Sequence, residues 1–135
     1  MAFYTASSRL ETRMNVPLLK LSILIVLMLL LFAGFANATI IVKPGAQIQS
    51  AIDAANSGDT IEVYSGTYQD SLIINKQLAI KGIDSGSGLP RVETDNGPAI
   101  TLKADGIILK GFWAKSASGW SGDAGILVLS DHNLI

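Results

Sequence analysis

Three patterns of apolar and polar residues follow one another along the chain, and each dictates a different local structure. From Leu21 to Ala36 the run "LSILIVLMLLLFAGFA" is apolar except for Ser22 and has no periodicity. At Ile48 the stride becomes helical. Ile48, Ala51, Ile52 and Ala55 fall at i, i+3, i+4 and i+7, with Gln47, Gln49, Ser50 and Asp53 on the other side, which predicts an amphipathic helix of about three turns over Gln47–Ala55. After Gly58 the period drops to two and stays there.

Thr39–Val42 reads as a short strand, ended by Lys43-Pro44-Gly45 because proline cannot donate to a ladder and glycine turns freely. Beyond the helix, which Asn56-Ser57-Gly58 stops, Ile61 and Val63 alternate with Glu62. Leu72 and Ile74 then share one face and Leu78 and Ile80 another, with turns rich in Gly, Ser, Asn or Asp between the runs.

These runs repeat. "LIINKQLAIKGI" (Leu72 to Ile83) aligns with "ITLKADGIILKGF" (Ile100 to Phe112), pairing Ile74 with Leu102, Ile80 with Leu109, and Lys81-Gly82 with Lys110-Gly111. A third copy begins at "GILVLSDHNLI", where Ile126, Val128, Asp131 and Ile135 answer Ile100, Leu102, Asp105 and Leu109. Self-similarity at a period between about 20 and 50 residues marks a solenoid, and short strands without a second helix make each period one coil of a β-helix. One coil cannot bury its inward side chains alone, but stacked coils pair every strand in parallel around a continuous apolar column. The helix at Gln47–Ala55 covers the first coil, whose strand edges would otherwise be open to aggregation. The expected fold is all-β, a parallel β-helix over 39–135 with a short N-terminal capping α-helix. The chain stops at Ile135 in a strand-like repeat with no polar cap after it. Three explanations are open: a longer protein, coils supplied by another chain through self-association at the open C-terminal coil, or a truncated gene.

The leading segment fits none of this. Arg9, Arg13 and Lys20 precede the apolar run and Ala36-Asn37-Ala38 follows it, the charged, apolar and A-x-A parts of a secretory signal peptide. Residues 1–38 are therefore expected to be a signal peptide cleaved after Ala38, with Met14 as an alternative start. The alternative is an uncleaved anchor, which would make the protein membrane-bound; the run is shorter than the roughly 20 residues of a spanning helix.

From Thr39 onward seven Lys and Arg face ten Asp and Glu, a net charge of −3. With no basic stripe or aromatic interleaving, nucleic acid is not expected as a partner. Cysteine is absent, so an exported domain of this size is held without disulfides.

The stretch "IVKPGAQIQSAIDAANSGDTIEVYSGTYQDSLIINKQLAIKG" resembles the opening of right-handed parallel β-helix proteins of the pectin lyase-like superfamily. It is most similar to the NosD-like group, common among exported and surface proteins of methanogenic archaea. The shared pattern runs I-Q-x-A-I-x-x-A (Ile48, Gln49, Ala51, Ile52, Ala55), G-D-T-I-x-V-x-x-G-T-Y (Gly58, Asp59, Thr60, Ile61, Val63, Gly66, Thr67, Tyr68) and I-N-K-x-L-x-I-x-G (Ile74, Asn75, Lys76, Leu78, Ile80, Gly82). "SDHNLI" resembles the Asn-rich corners of that group, with Asn133 in the place of a stacking Asn. The resemblance implies fold more than activity, since the same opening occurs in polysaccharide lyases, pectin esterases and non-enzymatic surface proteins.

Each chemically interesting residue has a structural alternative. Asp59 suits a turn carboxylate bonding its own backbone better than an acid or calcium ligand, and Tyr68 is expected to pack under the capping helix. Ile48, Ile52, Gly58 and Gly66 complete this cap and its turns. Family lyases use a calcium-binding carboxylate cluster with a Lys or Arg base, and family esterases two Asp and an Arg. Here Asp95, Asp105, Asp123 and Asp131 are scattered and Arg91 is the only arginine after residue 38, so no catalytic residue is assigned. The NosD name implies copper, yet the methionines lie in the leader and His132 is the only histidine, so neither a metal site nor a cofactor is expected. His132 reads as a corner residue.

Trp113 and Trp120 flank a Gly/Ser-rich loop in "GFWAKSASGWSGDAG". They can stack on sugar rings, or Trp113 can pack on its coil while Trp120 shields a loop. The expected role is that of an exported, secreted or cell-surface protein with structural, adhesive or carbohydrate-contacting function, its partners polysaccharide or cell-envelope components. The alternative is the N-terminal part of a polysaccharide lyase or related carbohydrate-active enzyme whose catalytic coils lie beyond Ile135.

Overall fold

The structure, a computed structural model, describes residues 16–31, 36–116 and 124–135. The chain divides into two units, 1–35 and 36–135. The first contains helix α1, Val16–Leu31, apolar apart from Lys20 and Ser22, and no described helix is long and apolar enough to cross a membrane.

The second unit is a parallel β-solenoid of about four turns. It opens with strand β1 (Thr39–Val42) and helix α2 (Ile48–Ala54). Three coils follow, each of three strands: β2 (Thr60–Tyr64), β3 (Thr67–Gln69) and β4 (Leu72–Ile74); β5 (Ala79–Ile83), β6 (Arg91–Thr94) and β7 (Ile100–Leu102); β8 (Ile108–Lys110), β9 (Trp113–Ser116) and β10 (Ile126–Val128). Like strands stack into three parallel sheets, β1-β2-β5-β8, β3-β6-β9 and β4-β7-β10.

Register matches the repeats read from sequence. Ile74 lies opposite Leu102, Ile80 opposite Leu109 and Lys81 opposite Lys110. Ile126 and Val128 lie opposite Ile100 and Leu102, and the Ile108–Leu134 bridge places Ile135 level with Leu109. Inward residues thereby form columns, Ile40–Ile61–Ile80–Leu109 and Leu72–Ile100–Ile126 among them. Ile61, Ile80, Leu72 and Ile100 are fully buried, and burying each such side chain contributes roughly 1.5–3 kcal/mol. In the last described coil Val128 and Ile135 continue the Leu102 and Leu109 columns and are exposed, as are Leu129 and Leu134.

Helix α2 is about two turns long, shorter than the sequence stride suggests. Ala55 keeps its place on the buried face but is extended, with φ −70° and ψ 151°. Ile48 and Ile52 are fully buried. Tyr68 is buried as expected, although it borders residues 45–47, the loop into α2, and its hydroxyl donates to the Tyr64 carbonyl at 2.8 Å.

The recurrent Lys-Gly marks the closest approach of two coils. A Cβ on Gly82 would overlap the Gly111 carbonyl oxygen and lie 2.8 Å from Pro90 Cγ, while one on Gly111 would lie 2.7 Å from the Gly82 carbonyl oxygen. Gly97, whose φ of 68° is close to the 76° of Gly111, has open space around it. Gly82→Ala is therefore expected to cost about 3 kcal/mol or more in urea unfolding, and Gly97→Ala only about 1 kcal/mol, the left-handed penalty alone. Equal costs would contradict the stacked contact.

Candidate functional site

Asp59 occupies the turn between α2 and β2 and is buried. Its Oδ2 accepts the Asn56 N–H at 2.8 Å, as a turn carboxylate should, and its Oδ1 accepts the Ala38 N–H at 2.8 Å. The second bond ties the chain before β1 to the turn after α2, a long-range link that no local motif could announce. The Asn56 and Ala38 amides, helped by the positive Lys76, hold the carboxyl below its ordinary range against the opposing effect of burial.

Lys76 and Gln49 act on the same helix and the first coil. The Lys76 ammonium donates to the carbonyls of Ile52 (3.1 Å), Asp53 (2.8 Å) and Ala55 (2.8 Å), satisfying the end of α2, where orphan carbonyls and the helix dipole favour a cation. Gln49 acts on the strand edge: its Oε1 accepts the Ile73 N–H at 2.9 Å and its Nε2 donates to the Ile73 carbonyl at 3.3 Å. One carboxamide thus takes both hydrogen-bonding positions that a strand below β4 would take. The capping expected of this helix is carried by these polar contacts as well as by Ile48 and Ile52.

The candidate binding surface is the outer face of β3-β6-β9. Its register sets Thr67, Arg91 and Trp113 in one outward column and Gln69, Glu93 and Lys115 in the next. The Arg91 guanidinium lies 3.9 Å from the Trp113 ring centroid, while its Nε is 3.5 Å from Glu93 Oε1. Gln69 Nε2 donates to Glu93 Oε2 at 3.3 Å. Trp113 therefore packs on its neighbouring coil and still leaves 41% of its surface exposed. Beside it, Gln69, Asp70, Ser71, Glu93, Thr94, Asp95 and Asn96 line a shallow polar groove of about 360 Å³. An exposed indole with polar donors and acceptors around it suits a flat, hydroxyl-rich ligand.

Other candidates are dispersed. Asp95 borders the groove, whereas Asp105 accepts the Asp131 N–H from the coil above at 2.8 Å. Among the described residues no group of three or more His, Cys, Asp or Glu is placed to hold a metal. His132 sits at a corner with φ 57°. Asn133 lies one residue before the Ile108–Leu134 bridge, level with Ile107, whose N–H its Oδ1 accepts at 2.9 Å. Trp120 and Asp123 fall outside the described residues. The chain matches no protein-family model, and no curated protein or solved structure is significantly similar to it.

Two outcomes are expected from the cap. Lys76→Met keeps the apolar stem and removes three charge-assisted bonds, so it is expected to cost about 1–2 kcal/mol in urea unfolding; an unchanged midpoint would deny the cap. Asp59 has a depressed folded pKa, so its stabilisation is present above the ordinary carboxylate value of 3.8 and is lost as pH falls through the lower folded value. Asp59→Asn is expected to remove that part of the acid dependence, seen as a flatter thermal midpoint between neutral pH and pH 3.

Proposed function

We propose that this chain is an exported protein of the cell envelope or cell surface, a right-handed parallel β-helix of the NosD-like, pectin lyase-like type. Its role is structural or adhesive, with carbohydrate contact along one side. The observation that carries this reading is the exposed Trp113 stacked on Arg91 beside the groove at Asp70 and Asp95. A solenoid presents such columns at fixed spacing and suits an extended polymer better than a small metabolite. Helix α1, apolar after Lys20 except for Ser22, with Arg9 and Arg13 before it and small residues after it, supports export. The roles of Gln49 and Lys76 at the first coil give the resemblance a physical basis.

The test is affinity electrophoresis of the protein through gels containing neutral or acidic polysaccharides, followed by digestion assays with calcium. Retardation without cleavage is expected, and Trp113→Ala should weaken it about five- to tenfold. A control Lys103→Ala, in the corner between β7 and β8, should not change it. Calcium-dependent cleavage of uronic-acid polymers would favour the lyase reading instead, and no retardation in any gel would contradict carbohydrate contact.

A further inference from the structure

The Ala36-Asn37-Ala38 pattern alone places the first mature residue at Thr39. The fold uses the two residues that such a cut would remove. The Ala38 N–H is bound by Asp59 Oδ1 at 2.8 Å, and the Ala38 carbonyl accepts the Thr60 N–H at 2.9 Å. Asn37 lies over the same turn, its Oδ1 2.9 Å from the position of a Cβ on Gly58, a residue whose φ is 94°. Two hydrogen bonds thus join Ala38 to the turn from Asn56 to Thr60, and the Asn37 side chain occupies the space beside Gly58 in that turn. Asp59 itself is 3% exposed, so losing the Ala38 amide would strip a donor from a buried carboxylate, which is costly.

We propose that the processing site is the Ala36–Asn37 bond and that Asn37 and Ala38 remain in the mature protein as the first rung of the solenoid. This rests on the export reading. In the sequence, Gly34 and Ala36 supply the small residues that a leader-cleaving peptidase requires three residues and one residue before its cut. The Ala36 and Asn37 side chains are exposed, and neither of the two hydrogen bonds that Ala38 makes crosses the scissile bond. Cleavage there leaves the Asp59 and Thr60 bonds intact, whereas cleavage two residues later removes both.

The experiment expresses the full chain with its own leader in a secreting host and reads the N-terminal sequence and intact mass of the product. A parallel Ala38→Leu variant is processed alongside. Ala38 is exposed and contributes only backbone bonds, so folding is not at stake, but leucine is forbidden at the residue before a cut. Products beginning at Asn37 in both chains are the expected result. A wild type beginning at Thr39, with processing lost in Ala38→Leu, overturns this assignment and leaves the export reading standing. Any start other than Asn37 likewise overturns it, and a chain that keeps α1 in both cases overturns the cleavable leader as well.

Discussion

Neighbouring coils of this solenoid lie one strand spacing apart, about 4.8 Å, so each inward side chain meets the same position of the coils above and below it. That spacing constrains everything else. It forces like to sit on like, which is why Ile61, Ile80 and Leu109 form one column and Leu72, Ile100 and Ile126 another. It also sets where no side chain fits: Gly82 and Gly111 bring their backbones together at the end of an otherwise apolar column. Extra length is accommodated only at corners. Ser65 and Gly66 connect β2 to β3, whereas residues 84–90 connect β5 to β6, and there Asp84 accepts the N–H groups of Gly86 and Gly88 at 2.9 and 3.0 Å to hold the longer loop.

A stack of this kind has ends, and the first one shows how they are closed. Strand β4 offers its lower edge to Gln49, the helix above that glutamine ends on the Lys76 ammonium, and the turn beyond it is pinned by Asp59. Polar side chains thereby imitate the missing coil while Ile48 and Ile52 fill its apolar volume. In the last described coil Val128 and Ile135, which continue the Leu102 and Leu109 columns, are exposed.

Much of the fold was legible because the columns are visible as repeats. Residues 72–83, 100–112 and 125–135 align in sequence as they do in register, since the corner between β4 and β5 keeps nearly the same length as that between β7 and β8. The first rung was harder to see: Thr60 pairs with Ala79 and Ala79 with Ile108, spacings of 19 and 29 residues, and unequal corners blur any fixed period. The apolar stride runs past the helix end because apolar spacing reports which face is buried, and Ala55 is buried without being helical. Of the side surface, the sequence indicated Trp113 but not Arg91 beneath it. Residues 22 apart meet only once the register is known, and the Ala38–Asp59 bond was hidden for the same reason.

The account stands on that register, and the absence of cysteine from the chain allows it to be measured directly. Lys81 and Lys110 are outward neighbours in adjacent coils, so a Lys81→Cys, Lys110→Cys double variant places two thiols within the roughly 4.4–6.8 Å Cα separation that a disulfide needs. The stacked register is expected to give rapid intramolecular cross-linking of this pair under mild oxidation, and little from Lys81→Cys with Ile108→Cys, which is two residues out of step. Equal cross-linking of both pairs, or none in the first, would contradict it.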